Sequence, residues 1–94
     1  MRARAPDHPA LGKYAQVGRL LSARGDLTHA EAHEVLITTL ESWTRQLQLP
    51  RLGQFGVTPS DIPRIVANSR GSSMKTNPLL LEDAEIGAIV SARL

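Results

Sequence analysis

The chain has 94 residues, no cysteine, and eleven Lys and Arg against nine Asp and Glu, with hydrophobic residues at 41% and aromatics at only 3%. These figures exclude a disulfide framework, a thiolate nucleophile and any Cys-based zinc or iron–sulfur centre. A net charge of +2 falls short of the basic stripe of a nucleic-acid binder, and apolar runs of about three residues, such as Leu79-Leu80-Leu81, are too short for a membrane-spanning helix.

Residues 1–9 are rich in Arg, Pro and Ala, lack periodicity and read as a flexible arm. From residue 10 to 94 the patterning is that of one all-helical domain. Leu11, Tyr14, Ala15, Val17, Leu20 and Leu21 recur at three- and four-residue spacing, which predicts an amphipathic helix to about Ala23, with Gly25 as its stop. Thr28 and Glu31 make the Thr-x-x-Glu capping pattern. The helix after it runs to about Gln48 ahead of Pro50, with Val35, Leu36, Leu40, Trp43 and Leu47 on one stripe. That stripe predicts a buried Trp43.

Residues 51–57 contain two glycines and read as a connector with Leu52 and Phe55 tucked inward. Thr58-Pro59-Ser60-Asp61 is a helix start, with an N-cap, a proline at the first position and an acid in the first turn. Ile62, Ile65 and Val66 follow as a short stripe to about Ser69. Gly71-Ser72-Ser73-Met74-Lys75-Thr76-Asn77-Pro78 suits neither helix nor strand, because Gly and Ser loosen the backbone and Asn-Pro forces a turn. Ile86, Ile89, Val90 and Leu94 define a last helix from Asp83. Sustained period-two alternation is absent throughout, so the expected fold is a small all-α bundle of about four helices.

Candidate chemistry is sparse. His29 and His33 share a helix face, and His-x3-His can chelate a divalent metal, but no third ligand stands out. The simpler reading is a solvated surface pair, with His8 incidental. Glu82, Asp83 and Glu85 sit in a first helical turn, where they offset the macrodipole. Arg2, Arg4, Lys13, Arg19 and Arg24 cluster without aromatic interleaving and read as a solvated basic face. A Walker loop, a dinucleotide Gly-x-Gly-x-x-Gly and a Ser/His/Asp arrangement are all absent.

An ordered series of short motifs adds a resemblance. Leu49-Pro50-Arg51-Leu52, Phe55-Gly56-Val57-Thr58, Asp61-Ile62-Pro63, Ile65-Val66, Ser72-Ser73-Met74-Lys75-Thr76-Asn77-Pro78 and the closing acidic-start helix resemble the C-terminus of iron-containing alcohol dehydrogenases. Lys13-Tyr14-Ala15 with Leu20 resembles a helix further upstream in that family. The likeness covers about Lys13 to Leu94.

The resemblance implies part of a dehydroquinate-synthase-like helical domain in a cytoplasmic oxidoreductase that uses NAD(P) and iron or zinc. It also implies that the cofactor loop and the metal ligands lie upstream of these motifs, so that this chain binds neither cofactor nor metal and is not competent alone. In the family the loop matching Ser72–Pro78 packs beside the substrate channel, which makes Ser73, Met74 and Lys75 the candidates for channel lining. Relatives place Thr or Ser where this chain has Glu82, a poorer N-cap, which predicts a frayed start to the last helix. Expected partners are a second copy or the remainder of the parent enzyme, with neither nucleic acid nor membrane. Two other readings stand beside this one: a stand-alone helical interaction module that has lost catalysis, and a small metal-binding protein using His29 and His33.

Overall fold

The computed structural model describes residues 1–94, and every regular element in it is helical. The helices are α1 (Pro9–Ser22), α2 (His29–Gln46), α3 (Ile62–Asn68), α4 (Ser72–Lys75) and α5 (Asp83–Ser91), with 3-10 turns at Leu52–Phe55 and Pro59–Asp61. The chain divides into two compact units, Met1–Leu49 and Pro50–Leu94. The all-α expectation stands, with one more helix than periodicity suggested. Residues 10–94, which pattern as one domain, fall across both units.

The first unit is a hairpin of α1 and α2. Its interior is small: Leu11, Ala15 and Leu27 are buried with Ala32, and Val35 packs against them. Small residues let the helices meet backbone to backbone. A Cβ built on Gly18 would lie 2.0 Å from the carbonyl oxygen of Ala32, so only glycine fits at the crossing. Residues 1–9 fall within this unit. The Met1 carbonyl accepts from the Arg4 and Ala5 amides, and Arg2 pairs with Glu34 on α2.

The helix ends follow local rules, one of them unexpected. The Thr28 capping box is complete, with the Thr28 hydroxyl accepting the Glu31 N–H and Glu31 Oε2 accepting the Thr28 N–H, both at 3.3 Å. α1 stops at Ala23, not Gly25. Ala23 is left-handed (φ 53°), and the Ala23 and Arg24 amides return to the carbonyls of Leu20 and Arg19, a Schellman closure. α2 ends at Gln46, two residues before the expected limit, and closes the same way through a left-handed Gln48 (φ 49°). An L-residue held left-handed costs about 1–2 kcal/mol, less the extra unfolded-state freedom a glycine would bring. Ala23→Gly is therefore expected to stabilise the protein by a few tenths to about 1 kcal/mol, read as a raised urea midpoint with unchanged slope.

Trp43 is not buried. It is 46% exposed, and Leu40 and Leu47 beside it are exposed too. The stripe on α2 is real, but α1 covers only its first half: Ala32 and His33 are buried and Leu36 half-buried. α1 begins at Pro9, so no helix of the hairpin lies opposite the last turns of α2.

In the second unit α3 packs on α5, and Val66 and Ile86 are its buried residues. The chain end is tied to the start of the unit. Arg51 donates to the carbonyls of Ala92 (2.9 Å) and Leu94 (3.2 Å), Arg93 to that of Pro50 (3.0 Å), and the Leu52 amide to that of Arg93 (2.7 Å). Leu52 is half-buried, but Phe55 is 71% exposed, against the expectation that both turn inward.

The helix start at Thr58 is made by Asp61, whose carboxylate accepts both the Thr58 N–H (3.0 Å) and its hydroxyl (2.9 Å). These two donors, with Arg64 adding its charge, hold the Asp61 carboxyl below the usual carboxylate range. The cap's contribution to stability is then complete above the unfolded carboxyl's pKa and is lost as pH falls through the lower folded value. In an acid titration followed by NMR, the Thr58 amide is expected to report a midpoint below that of an ordinary Asp, and Asp61→Asn to abolish the transition.

Candidate functional site

Ser72–Lys75 forms a single helical turn, α4, rather than open loop. Gly71 precedes it in extended conformation, its carbonyl accepts the Met74 amide at 3.1 Å, and Pro78 prevents the turn from continuing. Met74 and Lys75 line a hollow of about 190 Å3 together with Arg70 and Leu80. Ser73 is exposed and outside it.

Arg70 is the organising residue of this corner. One guanidinium nitrogen donates to the Leu81 carbonyl at 2.9 Å, and another donates to the Asp83 carboxylate at the start of α5. The remaining acids there are structural as well. Glu85 accepts the Glu82 N–H at 2.7 Å, closing a capping box, so the start of α5 is held and not frayed. The hollow thus brings the apolar side chains of Met74 and Leu80 together with the cationic side chains of Arg70 and Lys75. No carboxylate or imidazole lines it.

The histidines separate into three roles. His8 caps α1, its Nδ1 accepting the Ala10 N–H at 3.1 Å. His29 is exposed. His33 is 8% exposed, and its Nε2 donates to the Leu11 carbonyl at 2.7 Å, so the expectation of a solvated pair holds for one member only. The two rings lie 6.1 Å apart. With Nε2 engaged, His33 offers a metal only Nδ1, and no three His, Asp or Glu side chains of the chain converge into a group that could hold an ion.

His33 also helps line a second hollow, of about 160 Å3, walled by Tyr14, Leu36 and Ile37. In the basic N-terminal cluster Arg19 donates to the Leu27 carbonyl and Arg24 pairs with Asp26. Arg2 pairs with Glu34, so these cations are engaged within the fold.

His8 proves to be a cap rather than incidental, and Gly18, Arg51 and Arg70 hold structural posts of their own. A His-Pro pair before an apolar-periodic run was a usable sign of a cap. Arg51 and Arg70 find partners up to 43 residues away, and no local pattern signals that. Comparison with known families, curated proteins and solved structures gives no match. No helix is long and apolar enough to cross a membrane.

Proposed function

We propose that the chain is the C-terminal helical segment of an iron-containing, NAD(P)-dependent alcohol dehydrogenase, a portion of a dehydroquinate-synthase-like helical domain, and that it is not competent alone. The observation carrying this reading is the ordered motif series from Lys13 to Pro78 and the acidic-start helix after it. Two features support it. The chain is all-helical, and Met74 and Lys75 share a hollow.

In such an enzyme the metal polarises the carbonyl oxygen and the nicotinamide carries the hydride. The histidines and acids present here do not fit a metal site, so no step through the metal is assigned to them. Met74 and Lys75 would shape the channel wall; Ser73 drops to a neighbouring position. The partner is the remainder of the enzyme.

Fragment complementation tests the reading. An iron-containing alcohol dehydrogenase truncated before the matching helices is expected to be inactive alone. It should gain alcohol-dependent NAD(P) reduction when co-expressed with this chain, which itself turns over nothing. Soluble, associated fragments without any gain would reject the proposal, as would turnover by the pure chain. A second reading, a stand-alone interaction module, is favoured by one observation: the hairpin has its own caps and crossing, yet displays an apolar stripe. Under that reading the fragments do not associate.

A further inference from the structure

We infer that the uncovered stripe of α2 is a self-association surface on which a second copy of this chain docks antiparallel, about a two-fold axis. The inference extends the proposed function without depending on its chemistry.

Leu36, Leu40, Trp43 and Leu47 follow four-three-four spacing, the seam of a coiled coil. Within the hairpin unit Ile37, Leu40, Trp43 and Leu47 are 37%, 48%, 46% and 69% exposed. The positions flanking the seam are Ile37, Thr39, Thr44 and Gln46, all uncharged. The charges of this stretch, Glu34, Glu41 and Arg45, fall on the opposite side of the helix. Loss of charge around an apolar centre is the compositional mark of an interface core. A neutral flank also means that an identical copy brings no like charge against it.

The spacing is self-complementary. A two-fold axis between Glu41 and Ser42 sets Leu40 against the partner's Trp43 and Leu36 against the partner's Leu47. Leu36 walls the 160 Å3 hollow with Ile37, Tyr14 and Arg2, the last neutralised by its pair with Glu34. Leu47, the most exposed member of the stripe, is thereby the knob that enters the other chain's hollow.

The size is sufficient. Taking about 250 Å2 for a free Trp and somewhat under 200 Å2 for an aliphatic residue, the exposed part of the stripe is roughly 400 Å2 per chain. Two stripes at the apolar fraction usual in homodimers, about 65%, imply an interface near 1,200 Å2, the lower end of the stable range.

Light scattering and sedimentation across a concentration series test this, with Trp43, the only tryptophan, as the optical probe. The mass is expected to double with concentration while Trp43 emission moves to the blue in step. Leu47→Glu, at an exposed site, should leave helical circular dichroism intact and raise the dimer dissociation constant at least about tenfold. Leu20→Glu, 80% exposed on α1, should leave it unchanged. A monomer at every concentration overturns the proposal. So does a dimer indifferent to both Leu47→Glu and Leu40→Glu. If Trp43 is instead covered only when the dehydrogenase remainder is added, self-pairing fails while the proposed function stands.

Discussion

Gly18→Ala is expected to unfold the α1–α2 hairpin, although helix propensity alone predicts the reverse. Exchanging an interior helical glycine for alanine normally gains about 0.8–1 kcal/mol. At Gly18 the new methyl would lie 2.0 Å from the Ala32 carbonyl oxygen and 2.7 Å from its carbon. Both are backbone atoms, so no rotamer change relieves the clash and the two helices must separate. Overpacking by a methylene costs about 1–3 kcal/mol even where side chains can yield. Here the net loss should reach at least about 2–3 kcal/mol after the propensity gain. For so short a chain that is a large part of the whole stability. Gly12→Ala is the internal control. Its Cβ would meet only His29 Cε1, at 3.9 Å, so the propensity term acts unopposed and the midpoint should rise. Thermal and urea unfolding of the two variants should move in opposite directions. A Gly18→Ala protein as stable as Gly12→Ala would mean that the crossing is looser than described.

Ile86→Ala should have a comparable effect on the second unit. Ile86 is 3% exposed, and α5 sits so close to α3 that a Cβ on Gly87 would meet Ile62 Cγ2 at 3.7 Å and Val66 Cγ2 at 3.9 Å. A buried Ile cut to Ala costs about 2–5 kcal/mol, the upper part applying where surrounding groups cannot close the cavity. Val66 and Ile86 are the buried apolar residues of this unit, so little else compensates. The amide signals of α3 and α5 should lose dispersion at temperatures where the parent protein is folded. Ile89→Ala on the same helix, 56% exposed, should change the midpoint little. Equal tolerance of both changes would place the core elsewhere.

Trp43 illustrates the limit of periodicity. The stripe Leu36, Leu40, Trp43 and Leu47 is as regular as any in the chain, and it forms a helix face as expected. A stripe states which side is apolar, not what lies opposite. His33 shows the converse, since a residue that patterns as a solvated ligand candidate is buried on the face that α1 does cover. The turn at Ser72–Lys75 was hidden for another reason. A four-residue turn has no period, and its one local signal, Asn-Pro, marks only where it stops.

Local chemistry along the chain suffices for the framework: the all-helical class, the Thr28–Glu31 box, the Thr58 start, and the apolar faces of α1, α2, α3 and α5. Each of these is decided within a few residues, by side chains reaching their own backbone or by spacing around one helix. Long-range packing is what puts Gly18 rather than a large side chain at the helix crossing. The same holds for the ties of Arg51 and Arg70 to carbonyls far along the chain, for the lining of one hollow by Met74 and Lys75 without Ser73, and for the bare second half of the α2 stripe. These depend on which surfaces meet and how far each helix extends past its neighbour, quantities set by packing across tens of residues that no local pattern encodes.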